Sequence, residues 1–165
     1  RPAQGLVFFA RTSKALSRLN DMFRTGDVHK TYWAITQNCP AEPEAVLTDW
    51  ISRNEKQNKS YAYDHEVPGS KKAMLHYKVI GRSDNYTLVE VNLMTGRHHQ
   101  IRCQLANIGC PIKGDLKYGA RRSNPDGSIS LLARKIEFVH PVSKEKIYAE
   151  APLPDDRLWR EMRML

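Results

Sequence analysis

Long hydrophobic runs are missing from this chain. The longest strongly apolar stretch, Leu6-Val7-Phe8-Phe9-Ala10, falls far short of the roughly 20 residues a membrane helix needs. A charged start followed by an apolar region and a small-residue cleavage site is also missing, so no secretory leader is visible. Cysteine is scarce: there are 3 in 165 residues, Cys39, Cys103 and Cys110. An odd number without framework spacing excludes a disulfide-stapled scaffold and fits a reduced, cytoplasmic setting. No internal repeat occurs, and neither does a Walker loop, a dinucleotide fingerprint or a Gly-x-Ser-x-Gly elbow. These absences point away from nucleotide-driven, dinucleotide-dependent and serine-hydrolase chemistry, and no cofactor is expected. The chain opens on Arg1 instead of a methionine, and the natural start is expected upstream.

Positive charge, in contrast, is abundant. Lys and Arg number 26 against 18 Asp and Glu, a formal net charge of +8, with a pI near 9.5. Such a field attracts polyanions and speeds their encounter, although a basic surface also serves solubility alone. The length is one domain's worth, expected to span 1–165, with 41% hydrophobic residues and hence enough apolar surface for one core.

The hydrophobic pattern predicts alternating elements. A buried strand is expected over Gly5 to Ala10, then a helix capped by Thr12 or Ser13 and running to about Arg24. Its core-facing side would be Ala15, Leu16, Leu19, Met22 and Phe23. Thr31 to Thr36 reads as a strand, and the segment from Arg53 to Lys72 as either polar linker or hairpin. Leu75, Tyr77 and Val79 alternate with polar residues, as do Val89, Val91 and Leu93 with Leu88, Glu90 and Asn92, which predicts two more strands. A helix is expected from His98 to Ile108, its apolar face formed by Ile101, Leu105 and Ile108. Ser128 to Ala133 and Lys135 to Val139 suggest separate strands, and Arg157 to Leu165 a closing helix. Strands outnumber helices, so the class is α+β, with a largely antiparallel or mixed sheet and flanking helices.

Thr95-Gly96-Arg97-His98-His99-Gln100-Ile101-Arg102 is the densest polar segment. A tight turn leading into a helix offers unpaired first amides to an anion, with Arg97 at that mouth. Arg102 adjoins the apolar face, where a guanidinium requires a carboxylate partner. His99 and Cys103 share a zinc-compatible spacing, with Cys110 near, but a fourth ligand and a paired motif are missing, so no metal is expected.

The stretch TGRHHQIRCQLANIGCPIKGDLKYGA, from Thr95 to Ala120, resembles the signature of the RluA-type RNA pseudouridine synthases. Val28-His29-Lys30-Thr31-Tyr32-Trp33-Ala34 resembles their V-x-K-x-Y-x-A motif. Leu131-Leu132-Ala133 with Phe138-Val139-His140-Pro141, and Ala151-Pro152-Leu153-Pro154, resemble the late strand pair and the usual ending. The resemblance spans nearly the whole chain. It implies the pseudouridine synthase fold and isomerisation of selected uridines in structured RNA, ribosomal or transfer, without an obligate protein partner.

The family's nucleophile is an aspartate in a His-Arg-Leu-Asp-Arg-Pro-type motif, and Arg1-Pro2-Ala3-Gln4-Gly5 resembles the residues on the C-terminal side of that aspartate. The aspartate is therefore expected directly before Arg1, and the chain as given is expected to be inactive. Asp115 matches a different family position, with a capping or turn role. The resemblance implies that Tyr32 stacks on the base and takes its proton late, that Arg102 pairs with the aspartate, and that Leu131 packs against the base. Arg1, Lys30, Arg97 and Gln100 are implied in RNA or site-shaping contacts, and the target uridine must leave its stack. From the residues alone, Tyr32 and Leu131 are also ordinary core residues, and Lys30 and Arg102 solvated charges. A basic RNA-binding domain without chemistry is the alternative function.

Overall fold

The computed structural model describes residues 4–6, 13–14, 17–18, 21–22 and 27–165. Its frame is a nine-stranded sheet whose main path runs β1-β7-β2-β6-β5-β3-β4. The strands are β1 (Gln4–Gly5), β2 (Val28–Thr36), β3 (Glu44–Asn54), β4 (Lys59–Tyr63), β5 (Lys71–Arg82) and β6 (Thr87–Leu93), then β7 (Leu131–Val139), β8 (Lys146–Glu150) and β9 (Arg163–Met164). β1 runs parallel to β7, and the other pairings are antiparallel. The sheet is therefore mixed but mainly antiparallel, as expected for this α+β class.

Alternation along the strands gives the sheet two covered faces. On one, Ala34, Leu75, Tyr77, Val89, Val91 and Leu131 pack with Ile101 and Leu105 of helix α1 (Gln100–Asn107). On the other, Trp33, Ile35, Leu88 and Leu132 pack with Ala151 and Trp159; Trp159 belongs to the short helix α2 (Arg157–Glu161). Leu88, placed by its pattern on a polar face, is 1% exposed because this second layer covers it.

Several expectations change. The hairpin reading of the segment from Arg53 to Lys72 holds, since β3 and β4 pair from Trp50↔Tyr63 to Asn54↔Lys59. The two strands expected around Arg134 are one strand, β7. Its register against β2 shifts between Thr31↔Lys135 and Tyr32↔Ala133, leaving Arg134 as the extra residue of a bulge. Helix α1 starts at Gln100, two residues later than expected, and Ile108 is its C-cap with 37% exposure. Gln104, one turn earlier, is fully buried against Asp49 and the Ala73 carbonyl. The closing helix stops at Glu161, and β9 follows it onto β5.

The helix expected from 12 to 24 falls largely outside the described residues, where 13–14, 17–18 and 21–22 are helical. Of the strand expected over Gly5 to Ala10, Gly5 is seen in a strand that starts one residue earlier, at Gln4, and runs beside Leu132 and Ala133. Gly5 has φ +106°, and a Cβ there would stand 2.4 Å from the Ala133 carbonyl oxygen. That approach admits only glycine.

Candidate active site

β2 sends Tyr32 to the α1 side of the sheet and Trp33 to the other. Tyr32 lies between Val91 of β6 and Ala133 of β7 and packs on the cluster that contains Ile101 and Leu131. The structure thus brings Tyr32 and Leu131 together, the latter buried. Burial raises the Tyr32 phenol above its ordinary value of 10.0. Lys30, two residues earlier on the same strand face, is half-buried, and its ammonium is lowered from 10.5 by desolvation.

Arg102 is placed differently from expectation. It does not wait for an acid from outside the chain, because Asp115 supplies one. Nε donates to Oδ2 and Nη2 to Oδ1, each at 2.8 Å, with the two side chains 11% and 1% exposed. Asp115 precedes the 3-10 turn Leu116–Tyr118, yet its side chain makes no capping hydrogen bond there. Its expected capping role is corrected to that of ion-pair partner. A guanidinium has five N–H donors. Two go to Asp115 and one from Nη1 to His99 Nε2 at 3.1 Å, which leaves two uncommitted among the described residues.

That last contact fixes a proton. Arginine only donates, so His99 Nε2 accepts and Nδ1 carries the hydrogen. Nδ1 then donates to Tyr118 Oη at 2.8 Å, which also accepts the Ser60 N–H at 2.9 Å. Desolvation, and then the positive charge of Arg102, push His99 down to about 4, so it is neutral at neutral pH. His99 has φ +53°, a left-handed backbone costing about 1 kcal/mol, and two ring hydrogen bonds hold it there. Its ring stacks on His98 with centroids 3.7 Å apart. His98 joins Ser60 Oγ at 2.8 Å and Asn58 Oδ1 at 3.0 Å, so the β3–β4 hairpin is tied to the start of α1.

Asp115, His99 and Tyr118 are residues of this network that the sequence pattern does not connect. The local signal is slight: a His-His pair three residues before Arg102, and an acid thirteen residues after it.

Gln100 is 3% exposed. Its Oε1 accepts from Thr95 Oγ1 at 2.8 Å and from the Arg97 amide at 2.9 Å, and its Nε2 donates to the Met74 carbonyl at 3.0 Å. Of the two roles expected for it, the structure gives it site shaping. The Arg97 amide, expected to face an anion, is thereby occupied. The Arg97 side chain donates through Nε to the Lys72 carbonyl at 2.9 Å and has no carboxylate partner among the described residues.

Arg1 lies outside the described residues. Both ring nitrogens of His99 are in use, and Cys103 Sγ donates to the Ser60 carbonyl at 3.4 Å, its thiol pushed up to about 11 by burial. Among the described residues, no three His, Cys, Asp or Glu side chains are grouped as a metal ion needs, and no helix is long and apolar enough to cross a membrane.

Comparison with known proteins gives this geometry a context. Residues 1–107 match the family model described as RNA pseudouridylate synthase. The uncharacterised RNA pseudouridine synthase YlyB of Bacillus subtilis is 32% identical over 156 residues, covering 94% of this chain and 50% of that protein. Ribosomal large subunit pseudouridine synthase D of Xanthomonas campestris is 31% identical over 169 residues, covering 94% and 50%. The chain therefore spans about half the length of these relatives. In fold it is similar to human RNA pseudouridylate synthase domain containing 4, with a TM-score of 0.71 at 23% identity over 91% of this chain and 66% of that one. The family model covers well over half of the 165 residues, and the chain belongs to the RNA pseudouridylate synthase family.

Proposed function

We propose that the protein carrying this chain isomerises selected uridines of structured RNA to pseudouridine, in ribosomal or transfer RNA and in a reducing, cytoplasmic setting. One observation carries this reading. Tyr32 and Leu131 pack with Ile101 at the start of α1, while the next residue, Arg102, holds Asp115 and keeps two N–H donors uncommitted among the described residues.

In this reading an aspartate directly before Arg1 attacks the uridine, the glycosidic bond breaks, and the base turns and rejoins through carbon. The proton displaced from that carbon passes to Tyr32. Leu131 supplies an apolar wall for the flipped base. The free donors of Arg102 hold the attacking carboxylate ionised and aimed, as a guanidinium can while its remaining donors are fixed elsewhere. Lys30 and Arg97 meet the RNA backbone, and Arg1, next in sequence after the nucleophile, takes part in substrate binding.

The test is incubation of the full-length protein with ribosomal and transfer RNA, followed by chromatography of the nucleosides, since the isomers have equal mass. Pseudouridine should appear and should vanish when the residue before Arg1 is changed to alanine. Tight RNA binding without any conversion would leave a basic RNA-binding module and overturn the catalytic reading.

A further inference from the structure

A cleft of about 470 Å³ opens at the far end of β2, lined by Lys113, Arg121, Arg122, Tyr86 and Gln37, with Asn85 and Ser123 at its margin. Its walls come from separate parts of the chain that the backbone ties together. Gln37 N–H donates to the Pro111 carbonyl at 3.0 Å, and Lys113 N–H to the Ile35 carbonyl at 2.8 Å. The Arg121 amide donates to Gln37 Oε1 at 2.6 Å. Three cations thus share one concave surface that includes no carboxylate among the described residues.

The residues lining the cleft do not neutralise these charges, and the acid that Lys113 attracts, Asp126, stands outside that lining. Lys113 Nζ donates to the neutral Asn124 Oδ1 at 2.5 Å and stands 5.8 Å from the centre of the Tyr86 ring. Among the described residues, neither the Arg121 nor the Arg122 guanidinium has an acceptor, and both are exposed. The nearest acid in sequence to Tyr86, Asp84, is engaged by Arg163 at 3.4 Å. Like charges held together without a counterion repel, and an anion entering the cleft relieves that repulsion. Arginine donors suit a phosphate geometrically, and a tyrosine beside them offers a face for a base.

We propose that this cleft binds a backbone phosphodiester of the substrate RNA, with the adjoining nucleotide resting on Tyr86. The proposal deepens the pseudouridine synthase reading and rests on it. The position fits: from Tyr32 to Thr36 the strand advances about 13 Å, and Gln37 is the next residue. Tyr86 packs on the layer opposite the one that holds Tyr32, so the contacted phosphate belongs to RNA that passes the end of the sheet and serves binding and register, not chemistry.

The test uses the full-length protein with Lys113→Met, Arg121→Gln and Arg122→Gln combined. A control removes three charges elsewhere, on and around β8 and α2, at Lys144→Asn, Lys146→Gln and Arg157→Gln. RNA affinity is measured across a salt series, with turnover alongside. Each lost phosphate contact lowers the salt slope by about 0.7–0.9. We expect the cleft variant to lose at least one such step and raise KM with kcat nearly unchanged, as for a contact equal in ground and transition states. The control should keep its slope. An unchanged cleft-variant slope, or an equal loss in the control, overturns the proposal while leaving RNA recognition intact. Saturable binding of inorganic phosphate that the cleft variant alone loses, with the RNA slope unchanged, would assign the cleft to a small phosphate ligand and also overturn it. If the unaltered protein fails to bind RNA, the synthase reading itself falls and the proposal with it.

Discussion

Arg102 and Asp115 meet in a two-pronged ion pair, with both hydrogen bonds at 2.8 Å and the carboxylate 1% exposed. A buried pair of this kind contributes little beyond an apolar substitute, but removing one partner strands the other charge away from water. Asp115→Leu and Arg102→Met should each cost about 3–5 kcal/mol. The double variant Arg102→Met with Asp115→Leu should be less destabilised than either single change, because neither charge is left over. Urea unfolding of the four proteins decides it: additive losses would show that the two side chains are energetically independent.

His99 makes stability pH-dependent in a defined direction. Its folded value lies at about 4 against 6.5 for an ordinary histidine, so the unfolded chain binds a proton over that interval and the native protein does not. Stability should therefore be complete above about pH 6.5 and fall as pH drops from 6.5 towards 4. His98, also lowered chiefly by desolvation, acts in the same direction. The carboxylates held low, such as Glu137 with Lys146, contribute only below about pH 4.5. His99→Gln should flatten the decline between pH 6.5 and 5, measured as urea midpoints. An unaltered slope would assign it to other groups.

Gln100 tests how the Thr95–Arg97 turn is held. Gln100→Ala removes two acceptor contacts and one donor contact inside a site only 3% exposed, and should cost about 2–3 kcal/mol. If Gln100 acts by positioning Arg97, RNA affinity should fall about as far as in Arg97→Ala, while Arg97→Ala itself leaves stability within about 0.5 kcal/mol. Full RNA affinity in Gln100→Ala would separate the turn from the binding surface.

These residues also show how far a sequence pattern discloses a fold and a site. Period-two alternation places Leu75, Tyr77, Val89 and Val91 on one face because that face of the sheet meets α1. Leu88 was misplaced because alternation identifies a buried face but not a second layer such as Trp159. The need of Arg102 for an acid followed from its place beside an apolar stripe. Which acid answered it did not, since Asp115 lies thirteen residues away in a segment that reads locally as a turn. Arg134 looked like a break between two strands because a bulge residue interrupts alternation without ending the pairing.

Tyr32 separates a core role from a chemical one. Its ring packs on the α1-side cluster, and among the described residues its hydroxyl makes no hydrogen bond. Tyr32→Phe keeps the packing and discards only that hydroxyl, so stability should stay within about 0.5 kcal/mol of the unaltered protein. Tyr32→Ala removes the ring and should cost about 3–5 kcal/mol. If the hydroxyl takes the proton during isomerisation, Tyr32→Phe should lower turnover by about 10²–10⁴-fold with RNA affinity nearly unchanged. Because burial raises the phenol above 10.0, the residue is protonated in the resting protein. It must therefore pass its own proton on as it accepts another, or accept only while the displaced proton is still shared with the substrate. Either route requires the oxygen. Near-normal turnover in Tyr32→Phe, with the fold intact, would reduce Tyr32 to a packing residue and move the search for the proton acceptor to Lys30, whose lowered ammonium is the other titratable group on that strand face.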